Sequence, residues 1–200
     1  MKRFARLLCV IGMLSLSTTA LATPLNLTQA FPDFSVLTQV ETTYDEATDI
    51  FTVTGFLSQY TGVDLVSHVA GGTFALNAVI DDAGALTSGT LTINGVVLDG
   101  IADPPAADLL IVDLTDFGFT GAGTSTVFEF IGDTTGGSMG GLFPNGAGVI
   151  LNPGSTNYAG AFDIDFTGTG GTVDAFYTPE PASMILLLGG ASFMAIRRKR

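Results

Sequence analysis

Apolar and polar residues alternate along most of the chain between residues 23 and 178. In one such run Phe74, Leu76, Ala78 and Ile80 occupy every second position. A period of two is typical of a strand with one face toward a core and the other toward solvent. The same pattern predicts further strands near 34–41, 50–57, 86–97, 109–117, 126–131, 148–151, 162–167 and 173–177.

Turn-forming residues separate these runs. They are Asp81-Asp82-Ala83-Gly84, Asp99-Gly100, Asp103-Pro104-Pro105, Gly132-Asp133 and Asn152-Pro153-Gly154. Short strands and frequent turns, with no helical period before residue 182, predict one all-β domain. We expect an antiparallel β-sandwich or jelly roll, with a closed up-and-down barrel as the alternative. The glycine-rich stretch 118–148 is expected to be a long loop, either exposed or laid over an edge strand.

The first 22 residues have the features of a signal peptide. Residues 1–6 carry three basic side chains, residues 7–16 are an apolar run, and Ala20 and Ala22 are small residues of the kind that signal peptidase recognises. We therefore predict cleavage after Ala22 and export of an acidic, β-rich domain spanning residues 23–178.

The last 22 residues combine a rigid motif, an apolar segment and a basic tail. Pro179, Glu180 and Pro181 hold the backbone extended. The uncharged apolar segment 182–196 follows, and as a helix it reaches about 22 Å, somewhat short of a hydrocarbon layer of roughly 30 Å. The final residues are all basic: Arg197, Arg198, Lys199 and Arg200. This order predicts a short transmembrane helix in the inner membrane with its basic end in the cytoplasm and the domain outside.

The stretch from Thr178 to Arg200 resembles the sorting signal of the PEP-CTERM family, exported proteins of Gram-negative bacteria. The resemblance implies that exosortase, a membrane-embedded enzyme, recognises residues 179–181 and removes the helix. It further implies release to, or attachment at, the cell surface. Association with exopolysaccharide in a biofilm or extracellular matrix is a further implication of the family.

The charge distribution narrows the possible partners. The net charge is −12, none of the seven Lys and Arg residues lies between residues 23 and 178, and 18 of the 19 acidic residues do. Nucleic acid is excluded as a partner of this domain because binding to phosphate depends on Lys and Arg. The chain has no Trp and only four Tyr, which is not typical of the aromatic girdles of an outer-membrane barrel.

The residues do not favour an enzyme. His68 is the only histidine and lies in a predicted strand, and no Gly-x-Ser-x-Gly motif is present. A pair of carboxylates is sufficient for glycoside hydrolysis, but acidic residues are too common here to identify one. We expect a non-enzymatic surface or matrix protein, and a matrix polysaccharide hydrolase is the less favoured alternative.

We expect no cofactor other than calcium, whose preferred ligands are carboxylate and carbonyl oxygens. Asp81 with Asp82, and Asp163 with Asp165, are the weak candidates for ligands, although neither pair matches an EF-hand loop. A calcium-assisted polysaccharide-binding module is therefore a second interpretation of the domain.

Overall fold

The computed structural model describes residues 23–62, 64–98 and 107–178. Ala20, Ala22, the motif Pro179-Glu180-Pro181, the segment 182–196 and the tail Arg197-Arg198-Lys199-Arg200 lie outside the described residues, as do the predicted turns at 99–100 and 103–105. Within the described ranges, no helix has the length and hydropathy needed to cross a bilayer.

Ten strands account for most of the described chain, and two three-residue 3-10 turns, Gly123–Ser125 and Gly140–Leu142, lie between them. The strands are β1 (Asp33–Asp45), β2 (Ile50–Gly55), β3 (Gln59–Thr61), β4 (Val66–Ile80), β5 (Leu86–Leu98), β6 (Ala107–Thr120), β7 (Val127–Gly136), β8 (Ala147–Asn152), β9 (Ser155–Thr156) and β10 (Phe166–Tyr177).

The sheet closes on itself as an eight-stranded antiparallel barrel. β2 and β3 together occupy one position, because both pair with β1 on one side and with β4 on the other. From β4 to β8 each strand pairs with the next, β8 pairs with β10, and β10 returns to pair with β1. The two-residue β9 pairs only with β10. The all-β prediction is confirmed. The β-sandwich or jelly roll is wrong, and the up-and-down barrel is the correct alternative, because the first and last long strands pair directly.

Aromatic side chains fill the interior of the barrel. An eight-stranded barrel has an interior just wide enough for side chains to fill. Phe51, Phe128, Phe130 and Phe166 are fully buried there, and the ring centroid of Phe51 lies 5.2 Å from that of Phe128 and 6.0 Å from that of Phe166. The core is therefore a packed cluster of rings, held by burial of apolar area and by tilted and edge-to-face ring contacts.

Each end of the barrel is closed by an aromatic side chain from a connecting segment. At one end, called here the Phe143 end, Phe143 stacks on Phe34 with ring centroids 5.8 Å apart. At the opposite end, called the Phe162 end, the segment 157–165 inserts Tyr158 and Phe162 against Phe128. The connection between strands thus supplies part of the core.

Three irregularities cross neighbouring strands at about the same height. The register of β1 against β10 shifts between Val36 and Val40, β2 and β3 are separated by residues 56–58, and β4 has a register shift between Ala70 and Thr73. Gly72 makes the close approach possible, because a Cβ there would lie 2.5 Å from the carbonyl oxygen of Leu57. Such bulges bend strands and redirect side chains outward.

The segment before β1 lies across the outside of the barrel, and we call residues 23–31 the strap. The Glu129 carboxylate accepts hydrogen bonds from the backbone N–H groups of Asn26 (3.0 Å) and Leu27 (2.9 Å). Gly118 lies directly beneath the strap, where a Cβ would collide with the carbonyl oxygen of Thr23. The strap therefore covers outward-facing parts of β6 and β7.

Two further expectations are corrected by the structure. The glycine-rich stretch 118–148 is not a long loop, since it contains all of β7 and parts of β6 and β8, and the predicted turn Gly132-Asp133 lies within β7. Residues 162–165 are not a strand. Phe162 and Phe166 are buried as the alternation predicts, but Ile164 is 51% exposed because this segment bends over the barrel end.

Replacing Phe128 with Ala should destabilise the fold strongly. Phe128 is fully buried and contacts rings of the barrel and of the segment that closes it, so truncation leaves a cavity. We expect a loss of about 3–5 kcal/mol in the free energy of unfolding, measured by urea denaturation. Phe56→Ala is the matched control, because this side chain is 67% exposed and its removal should change the free energy by less than about 0.5 kcal/mol. Equal losses for both variants would contradict the proposed core.

Candidate functional site

The four aspartates predicted from sequence lie at the same end of the barrel. Asp81 and Asp82 occupy the β4–β5 turn, and Asp163 and Asp165 lie in the segment that closes the Phe162 end. Between them is the β1–β2 turn, where a shallow cleft is lined by Glu46, Ala47, Asp49, Asp81, Asp82 and Ala83. The fold thus concentrates negative charge at this end.

Two of these carboxylates accept hydrogen bonds from backbone N–H groups. Asp81 Oδ1 accepts hydrogen bonds from the N–H groups of Ala83 (3.0 Å) and Ala85 (2.8 Å), which stabilises the β4–β5 turn. Asp165 Oδ1 accepts one from the N–H of Glu46 (2.9 Å), which joins the closing segment to the β1–β2 turn. Across the described ranges, no three His, Cys, Asp or Glu side chains are grouped so as to hold a metal ion. Asp81 and Asp165 therefore have a structural role, and calcium at this end stays a prediction.

Tyr44 connects three segments beneath this acidic end. Its hydroxyl lies 3.0 Å from the carbonyl oxygens of Ile80 and Phe162 and 3.4 Å from Asp49 Oδ1. Burial raises the pKa of Tyr44 well above its usual value, and the negative charge of Asp49 raises it further. Burial also raises the pKa of Tyr158, with a smaller contribution from Asp163.

A surface groove lies along the line of bulges on the side wall of the barrel. Phe56 is 67% exposed there because it continues the outward-facing side of β2 on which Thr54 lies. Gln39, with a backbone φ of 62°, and Glu41 lie on the same groove. The remaining lining includes the side chains of Thr38, Thr54, Thr73 and Thr169. The groove combines one open aromatic face with hydroxyl, amide and carboxylate groups, the mixture expected of a site for a polar organic ligand.

His68 does not complete a catalytic triad with the nearest serine and aspartate of its row. The strand register aligns Asp174, Ser35, Gln59 and His68 across β10, β1, β3 and β4. Gln59 stands between Ser35 and His68, whose strands are about 10 Å apart at roughly 4.8 Å per strand. His68 lies in β4, which confirms the predicted strand, and its side chain is exposed.

Sequence reasoning missed the groove because one aromatic residue on the solvent-facing side of a predicted strand does not by itself indicate a binding surface. Alternation with the buried Phe51 and Val53 already places Phe56 outside. The register shifts in β1 and β4 and the break between β2 and β3, which lie beside it, depend on strand pairing and are not visible in the alternation. The adjacent Gly55 and the Gly71-Gly72 pair were the available signals, since glycine inside a strand pattern often marks a bulge.

Comparison of the chain with protein-family models, with curated proteins and with solved structures found no match. The chemistry of the site is therefore argued from its own residues.

The tyrosines should make the fold sensitive to alkaline pH. Tyr44, Tyr60 and Tyr158 all have pKa values raised in the folded state, chiefly by burial. An unfolded tyrosine ionises near pH 10, so the stabilisation by these neutral side chains is complete below about pH 10 and is lost as the pH rises above it. We expect tyrosinate absorbance from these residues to appear together with the loss of β-sheet circular dichroism. Ionisation of all four tyrosines before any unfolding would contradict the buried placement.

Proposed function

We propose that this chain is a non-enzymatic protein of the bacterial surface or extracellular matrix, sorted by exosortase through its C-terminal tail. The observation that carries the proposal is the order of parts in residues 179–200: Pro-Glu-Pro, apolar segment, basic end. After signal peptidase acts, the segment 182–196 holds the precursor in the inner membrane of a Gram-negative cell, with the barrel outside. Exosortase then frees the barrel for the surface or for a matrix rich in exopolysaccharide.

Properties of the barrel support this proposal. Within the part of the chain that the structure describes, the sheet has no long unpaired edge, because its first and last long strands pair. A closed sheet lacks the edge groups that template association between chains. The domain carries no Lys or Arg, and its acidic surface disfavours aggregation with like-charged copies. Both properties suit a domain kept at high density outside the cell.

Replacing Pro179-Glu180-Pro181 with Ala-Ala-Ala should block processing in the native cell. We expect the full-length, membrane-held precursor to accumulate and the mature form to disappear from the medium and the cell surface. Immunoblotting of cell fractions measures both forms. Exchange of Thr167, exposed on β10, for Ala is the control and should leave processing unchanged. Normal release of the triple variant would contradict the sorting proposal.

The exposed Phe56 favours a second candidate function, the binding of an uncharged polysaccharide in the groove. An aromatic face can cover the apolar face of a sugar ring, while Gln39, Glu41 and the threonine hydroxyls can bond its hydroxyl groups. A polyanion is disfavoured because the domain has 18 acidic residues and no Lys or Arg.

Sedimentation of the full-length chain with an insoluble neutral glucan tests this candidate. We expect saturable retention that falls at least tenfold in Phe56→Ala. Leu142→Ala is the matched control, since Leu142 is 47% exposed at the Phe143 end and lies outside the groove. Calcium and chelator arms show whether retention needs the metal. Equal retention of both variants would exclude the groove as the binding site.

A further inference from the structure

Two aspartates lie on the outer face of the barrel at the seam where β1 pairs with β10. Asp33 begins β1, and Asp174 lies on β10 directly opposite Ser35. Because side chains at alternate positions of a strand share a face, Asp33, Ser35 and Asp174 project from the same side of this two-strand seam. We call Asp33 and Asp174 the seam pair.

The Asp33 carboxylate is buried, and only one of its oxygens is satisfied. Oδ2 accepts hydrogen bonds from Gln29 Nε2 (2.7 Å) and from Ser35 Oγ (3.0 Å). Asp33 is only 2% exposed, and its Oδ1 is shielded from solvent. Oδ1 has no hydrogen-bond partner among the described residues. A buried carboxylate oxygen without a partner is costly, so it calls for a proton donor or a cation.

Asp174 adds a second carboxylate to the same site. Burial raises the pKa of its carboxyl group, the nearby Ser35 hydroxyl lowers it, and the charge of Asp33 raises it again. The single hydroxyl proton of Ser35 is directed to Asp33, so it cannot satisfy both carboxylates at once.

The domain has no basic side chain that could neutralise the seam pair. Residues 23–178 contain neither Lys nor Arg. His68, the one imidazole, is separated from Ser35 along the strand register by Gln59. Within residues 23–178, therefore, no Lys or Arg supplies a fixed positive charge to the seam pair.

We propose that the seam pair binds a calcium ion, with Asp33 Oδ1 and the Asp174 carboxylate as its charged ligands and Ser35 Oγ as a neutral neighbour. The donors are all oxygen, which suits Ca²⁺, and the half-exposed position of Asp174 leaves room for water to complete its coordination. Two carboxylates predict weak binding, in the range of about 10⁻⁴–10⁻³ M seen for extracellular modules. Calcium here links β1 to β10 and so stabilises barrel closure. This site differs from the four aspartates predicted from sequence, and it does not depend on the sorting function proposed above.

Thermal unfolding of the full-length chain in detergent, with calcium chloride or with chelator, tests the site. At ten times the dissociation constant we expect the Tm to rise by about 3–6 °C, and the rise to saturate. Asp33→Asn and Asp174→Asn should each abolish most of this rise. Asp64→Asn, which removes an equal charge from an exposed loop, should keep it. Circular dichroism without calcium checks that each variant is folded.

The outcomes separate the seam pair from other sites. A calcium-dependent rise that survives in both seam variants would place binding elsewhere, for example at the acidic Phe162 end, and would overturn the proposal. Absence of a rise in the wild type at saturating calcium would show that the seam pair binds no calcium, which also overturns the proposal. A Mg²⁺ arm tests selectivity, and an equal rise with Mg²⁺ would contradict the assignment to calcium.

Discussion

The pairing of β1 with β10 is the interaction on which the rest of this structure depends. It joins residues 33–45 to residues 166–177 and converts a meander into a closed barrel. Only a closed barrel surrounds Phe51, Phe128 and Phe166 on all sides and allows Phe143 and Phe162 to seal its ends. Loss of this seam would expose two strand edges and the aromatic core together, so sheet closure and core burial are one cooperative event.

The lack of Lys and Arg shapes how the carboxylates are accommodated. Backbone N–H groups take the place of basic side chains: Glu129 receives two from the strap, Asp81 two from its own turn, and Asp165 one from Glu46. Each of these bonds also positions a loop or segment against the barrel. Carboxylates in this domain therefore hold segments in place as well as giving the surface its negative charge. At Asp33, in contrast, one buried carboxylate oxygen has no donor among the described residues.

Local features were predictable from the sequence, and long-range ones were not. The hairpin of β4 and β5 follows from the alternation around Phe74 and the turn at Asp81, because both signals are local. A sandwich and a barrel share that alternation, so the choice between them rests on a pairing between distant segments. The glycine-rich stretch 118–148 was predicted as a loop for a related reason. Gly118 and Gly132 allow close approach of the strap and of Asp113, a contact that no neighbour in the sequence reveals. The groove beside Phe56 and the seam pair likewise depend on bulge placement and strand register.

The closed seam also has a mechanical consequence. The chain passes into β1 beside the place where it leaves β10, since the N–H of Tyr177 donates to the carbonyl oxygen of Pro32 at 3.0 Å. A force pulling residue 178 away from residue 32 therefore meets the β1–β10 ladder at one end and opens its hydrogen bonds one after another, rather than shearing them together. A domain tethered only through its C-terminal side experiences little such load, whereas in one held at both ends the pull acts first on the strap and its hydrogen bonds to Glu129 and then on the seam. Attachment by a single terminus therefore keeps tension off the β1–β10 ladder.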